Sequence, residues 1–260
     1  MPDLLHNWPH LILAALAVTF IGISKAGFGG GVGVLVTPVV VLVFPPTEAI
    51  GILLPLLSAG DAFSLYYYWG KWEKSNVRYL IPGTFVGIVC GIGLIGILSD
   101  RYLGQAIGVI CIVFVVFQWI REYTHNGLEM YRPKQWQGNI CGLFAGLTST
   151  IAHAAGPVVS IFLLPQRLDK EIFVGTTVLV FAIINWMKLP FFIWKGLIHQ
   201  HTLLMDLYFL PLIPVGVWLG VWMNRRLPAK HFNHIIYVIV LLTGIELLGG
   251  KSLVSSILSK

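Results

Sequence analysis

Two stretches of the chain carry one frame without a gap. Gly22 to Val40 reads GISKAGFGGGVGVLVTPVV, and Cys141 to Val159 reads CGLFAGLTSTIAHAAGPVV, so Ala26-Gly27 falls on Ala145-Gly146 and Pro38 on Pro157. Each copy lies in an apolar segment too long for one simple helix and too rich in glycine to stay helical throughout. Interruptions at matching places in two halves of a membrane protein point to the binding site of a transporter.

The remaining chain fits that setting. Apolar runs of roughly 18 to 25 residues recur from end to end, the length a helix needs to cross a bilayer. With 57% hydrophobic and 11% charged residues, against about 25% charged in a soluble domain, little is left to solvate a large surface. Long unbroken runs indicate helices rather than the alternating pattern of a membrane barrel. Cys90, Cys111 and Cys141 lie within apolar stretches without metal-ligand spacing and read as small packing residues, and no cofactor is implied. The N-terminal MPDLLHNWPH holds no Lys or Arg and is expected to stay attached as part of the first span.

The first apolar region, Leu11 to Phe44, would be roughly 50 Å long as one helix. It must break or fold back in a hydrocarbon core of ~30 Å. Pro45-Pro46 ends it, and Thr47 with Glu48 is expected to cap the next span, which reaches Trp69. Spans Tyr79 to Leu98 and Tyr102 to Ile120 complete the first half. The second repeats the plan: a broken region Trp136 to Leu164, then spans Ile172 to Trp194, Leu203 to Met223 and Phe232 to Leu248. RYLIPGTFVG echoes LYFLPLIPVG, and DAFSLYYYWGK echoes NWMKLPFFIWKG, in the same order. The expected organisation is a first repeat over residues 1–122, a cytoplasmic linker over 123–135 and a second repeat over 136–260.

Basic residues collect in cytoplasmic links, so their placement bears on how the halves are related. If each broken region returns to its own side as a hairpin, Lys71, Lys74, Arg78, Arg121, Arg132, Lys134, Arg167, Lys170, Arg225, Arg226 and Lys230 share one face. Arg101, Lys195, Lys251 and Lys260 face the other way. That bias favours an all-α polytopic protein of two inverted repeats, each a broken or re-entrant region plus three spans, with both termini outside the cytoplasm. The net charge of +6 is then an orientation signal rather than a nucleic-acid footprint. Lys25 and Lys188 remain inside apolar regions, where an ammonium costs ~3 kcal/mol or more without a partner or a task.

SKAGFGGGVGVLVTP, LLPLLSAGDAF, YWGKW, TSTIAHAAGP and LPQRLDKEIFVGTTVLVFAIINWMKLP, in that order, resemble the TauE/SafE family, also called toluenesulfonate uptake permeases. The resemblance covers nearly the whole chain. It implies a carrier in a bacterial-type inner membrane for sulfite, sulfonates of the taurine pathway or related small organosulfur anions. TSTIAHAAG departs from the glycine run that many members carry at this place.

An anion entering a membrane needs donors that replace its water, and a broken helix offers amides at a positively polarised end. Gly29, Gly30 and Gly31 permit close backbone approach; Thr148, Ser149, His153 and Gly156 form the matching break. Asn185 can donate to an oxyanion, and Lys188, three residues on, shares its helical face. Lys25 can balance the anion, and Thr176 with Thr177 opens the paired span as a further candidate to touch it. Asp61, far from any link, and His153 are candidates to carry a coupling proton. The plainer alternatives are a salt bridge from Asp61 to either lysine, hydroxyls bonded to the preceding turn, and glycines that only let helices pack. The aromatic run Tyr66 to Trp69, with Trp194, reads as a membrane-interface belt.

The partners so implied are a small oxyanion, the lipid bilayer and a proton, with a homodimer left open. A passive anion channel is an alternative, since broken helices also build filters. An intramembrane hydrolase using Ser149 and His153 is a weaker one, because no nucleophile-elbow sequence accompanies them, and no catalytic role is assigned.

Overall fold

A computed structural model describes residues 8–28, 33–42, 44–123, 133–226 and 229–249. These form α1 (Trp8–Phe28), a short 3-10 turn (Gly33–Leu35), α2 (Val36–Val41), α3 (Pro46–Tyr67), α4 (Lys74–Ile97) and α5 (Asp100–Tyr123). There follow α6 (Gln135–Ala152), α7 (Ala155–Leu163), a 3-10 turn (Leu164–Gln166), α8 (Lys170–Trp194), α9 (Gln200–Phe209), α10 (Leu212–Arg226) and α11 (Ala229–Gly249). The described residues are helical apart from their turns and links.

Helices α3, α4, α8 and the Asp100–Ile120 portion of α5 are long and apolar enough to cross a membrane. The expected span from Leu203 to Met223 is instead a bent pair, Thr202–Phe209 and Leu212–Met223, turned by 49°. Pro211 lies in the break between them and cannot donate the amide a continuous helix would use. Among the described residues, α1 and α11 also hold the apolar segments Ala15–Gly27 and Val240–Gly249. The chain is therefore a multi-pass helical membrane protein with four or five candidate spans among the described residues.

The start of α3 corrects one local expectation. Thr47 provides no cap; the helix begins at Pro46, and the Thr47 amide donates to the Asp100 carboxylate at 3.1 Å. Proline at the first helical position costs no hydrogen bond, and a carboxylate brought from α5 meets an otherwise open amide.

Partner exchange between the halves organises the packing. Helix α1 lies along α10, and α6 lies along α4. Thus each long arm of a broken region packs against a helix of the other half. Glycines make both contacts close: a Cβ at Gly142 would stand 2.0 Å from the Leu80 carbonyl oxygen, and one at Gly216 would stand 2.2 Å from that of Thr19. Small residues allow such backbone approach within a bilayer. Helices α3 and α8 pack on each other, as do α5 and α11, and the α3–α8 pair carries the buried charges described next.

Candidate functional site

Asp61 and Asn185 fall on each other in the aligned echoes DAFSLYYYWGK and NWMKLPFFIWKG, and they meet across the α3–α8 pair. Asn185 Nδ2 donates to Asp61 Oδ2 at 2.6 Å, while the Lys25 ammonium from α1 pairs with Asp61 Oδ1. Asp61 is fully buried, and Lys25 and Asn185 nearly so. Each carboxylate oxygen therefore holds one donor, the arrangement that makes a buried charge tolerable.

A second cluster forms at the break between α6 and α7. His153 adopts a left-handed backbone conformation, φ 50° and ψ 29°, uncommon for a residue with a side chain. Its amide donates to the Ser149 carbonyl at 3.0 Å, and the Ala154 amide donates to the Thr148 carbonyl at 3.2 Å, closing the end of α6. Lys188 Nζ reaches the same end, donating at 3.0 Å to the Ser149 carbonyl and at 3.0 Å to Ser149 Oγ. A cation at a helix C-terminus offsets the partial negative charge of the last carbonyls.

The histidine tautomer follows from its partners. His153 Nε2 stands 2.9 Å from the Ile50 carbonyl, which can only accept, so Nε2 carries the proton. Nδ1 is then a bare acceptor and takes a hydrogen from Lys188 Nζ at 3.0 Å. As an ammonium, Lys188 has all three protons committed, and all three acceptors are neutral. The Ser149 hydroxyl accepts from Lys188 and keeps its own proton to donate.

Between the clusters lies a cavity of about 30 Å³, room for one or two waters. Lys25, Ser149, His153 and Asn185 supply its polar wall, together with Ala155 and Gly156 at the start of α7. The side chain of the α7 N-cap, Ala154, makes no capping bond, and the third helical residue, Pro157, has no amide to donate. The amides of Ala155 and Gly156 belong to the turn that has no acceptor within its own helix. Ile21, Leu57 and Phe181 form an apolar wall. The arrangement is a small pocket with several donors, and the carboxylate behind it, Asp61, is already engaged.

Lys25, Ser149, His153, Gly156 and Asn185 thus line one cavity, with Asp61 and Lys188 directly behind it. Gly29, Gly30 and Gly31 lie outside the described residues. The Thr148 hydroxyl bonds to the Phe144 carbonyl at 2.8 Å and the Ala154 carbonyl at 3.1 Å, holding the break together. Thr176 Oγ1 accepts from the Glu73 amide at 2.9 Å, in the connection before α4, and Thr177 donates to Phe173 in the preceding turn at 2.7 Å. The side chains of Ser149 and His153 meet through Lys188 rather than as nucleophile and base. Tyr66, Tyr67, Trp69 and Trp194 are exposed, as an interface belt would be, but Tyr68 is buried, and its hydroxyl donates to the Ala26 carbonyl at 2.8 Å.

Sequence reasoning missed two parts of the site. Phe181 and Phe192 set their rings 5.7 Å and 5.8 Å from the ammonium groups of Lys25 and Lys188, within cation–π range. Phe181, Asn185, Lys188 and Phe192 follow a spacing of four, three and four, so a helical-face count extended in both directions would have found them. The Ile50 carbonyl had no such signal, being backbone. No curated protein and no solved structure matches the chain. The family described as sulfite exporter TauE/SafE matches residues 14–247, nearly all of the region that holds these helices, and the chain belongs to that family.

Proposed function

We propose that the protein is a secondary transporter of small organosulfur anions, with sulfite and sulfonates as the substrate class, working by alternating access in the cytoplasmic membrane. One observation carries this reading: a small cavity is lined by buried Lys25 and by the start of α7, with buried Lys188 and a single buried carboxylate, Asp61, directly behind its wall. A small, buried pocket with surplus positive charge and convergent N–H and O–H donors suits an oxyanion.

In this reading the anion lies between the Ala155 and Gly156 amides on one side and Lys25 and Asn185 on the other, with Ser149 donating its free proton. Lys188 acts through the groups in front of it. Asp61 and His153 are the groups through which a proton would couple to transport. The cavity is too small for an oxyanion, so loading requires the helices around it to part, which favours a carrier over a passive channel. The exchange of arms between α1–α10 and α6–α4 supports two repeats of opposite orientation in the membrane. With the positive-inside bias, both termini are then non-cytoplasmic.

The test is thermal unfolding of purified protein with sulfite, thiosulfate, taurine, hypotaurine, sulfoacetate and an aromatic sulfonate, beside chloride and acetate. A ligand that binds the folded state raises the unfolding temperature. The expected outcome is a selective upward shift with at least one sulfur oxyanion, weakened at least about tenfold in apparent affinity by Lys188→Ala in protein that still folds. Shifts no larger than those of chloride would remove the sulfur-anion assignment, and an unchanged affinity in Lys188→Ala would give Lys188 a structural role.

A further inference from the structure

We propose that Asp61 is the charge filter of this site: it cancels one of the two buried lysines and makes the cavity selective for singly charged oxyanions over doubly charged ones of the same shape. The inference rests on the anion-carrier reading and adds the charge class of the substrate.

The argument is a count of buried charge. Lys25 is 5% exposed, and Asp61 and Lys188 are both 0% exposed. Lys25 spends its charge on Asp61. A second ion pair, between Lys71 in the connection before α4 and Glu171 at the start of α8, is exposed. Lys188 ends on a carbonyl, a hydroxyl and an imidazole nitrogen, none of them charged. Counted as ions, the three residues sum to a single positive charge. Lys25 reaches Asp61 from α1, and Asn185 reaches it from α8, where Lys188 lies one turn further along. A monoanion in the cavity brings the cluster to neutrality, whereas a dianion leaves one negative charge unpaired in a buried site, at a large desolvation cost. Selectivity here arises from a repulsive element as much as from an attractive one.

Asp61→Asn tests this while keeping an acceptor for Lys25. Methanesulfonate and sulfate are suitable probes, since both are tetrahedral, they are close in size, and their charges of one and two do not change near neutral pH. Titration calorimetry on the purified full chain is expected to give methanesulfonate at least about tenfold tighter than sulfate. Asp61→Asn raises the buried charge by one and is expected to shrink that ratio at least about tenfold, or to reverse it. Lys188→Gln removes a charge and is expected to weaken both anions and widen the ratio.

Wild-type protein that binds sulfate as tightly as methanesulfonate overturns the filter. So does an Asp61→Asn variant that folds and keeps the wild-type ratio. Should that variant fail to fold, the wild-type ratio and the response of Lys188→Gln decide the matter. If neither probe binds folded wild-type protein, the filter falls, and the anion-carrier reading stands or falls separately on the sulfur anions of the thermal-unfolding test.

Discussion

Asp206 contrasts with Asp61. It is 5% exposed on α9, and neither carboxylate oxygen has a hydrogen-bond partner among the described residues. A buried polar group without a partner loses its hydration and gains nothing in return, typically ~1–3 kcal/mol. Asp206→Leu, which keeps the branched outline of the carboxylate, is expected to stabilise the protein by up to about that amount, read as a higher unfolding temperature in detergent with methanesulfonate affinity unchanged. A lower unfolding temperature would mean that the carboxylate has a partner, and unchanged stability with weakened binding would bring it into transport. At this scale the sequence was informative where rarity made a residue visible. Lys25, Asp61 and Lys188 stood out because charges are scarce in apolar runs, and Asn185 because it shares a helical face with Lys188. Which lysine meets the carboxylate was not legible, because that depends on how three helices cross.

Among the elements, the α4–α6 contact shows what glycine does here. Gly142 faces the Leu80 carbonyl so closely that any side chain forces the helices apart. Gly93, also on α4, has nothing within 4 Å of where its Cβ would be. Gly142→Val is therefore expected to cost more than ~3 kcal/mol, in the range of severe overpacking. Gly93→Ala should be neutral or stabilising by up to ~1 kcal/mol, because alanine is the better helix former. Unfolding temperatures of the two variants in one detergent check the pair, and similar values would refute the close contact. Run length and spacing were enough to foresee α3, α4, α5 and α8. The bend between α9 and α10 was not foreseen, because Pro211 sits in a stretch whose apolar length alone matches a single span. The caps were missed for a related reason: the carboxylate that meets the Thr47 amide comes from Asp100, on another helix.

For the molecule as a whole, the proposed pair of inverted repeats makes a claim about sidedness. Single cysteines placed at both termini of a chain lacking Cys90, Cys111 and Cys141 should react with a membrane-impermeant maleimide in intact cells, and one in the link between α5 and α6 should react only after lysis. Termini that label only after lysis would sink the inverted arrangement while leaving the cavity intact. Matching frames suggest a duplication, but the packing of α1 on α10 and of α6 on α4 was not legible, since no local pattern says which helix a glycine face will meet. That packing also bears on how the protein is made. The chain emerges from its N-terminus, so Gly22 enters the bilayer long before the α10 backbone it packs against exists. Lys25 is in a different position, because Asp61 follows it in the very next long helix. During synthesis the buried ammonium can find its carboxylate early, while the glycine face of α1 waits against lipid until the ribosome has nearly finished. A nascent chain halted before α10 would hold its charges paired and one of its two main seams still open.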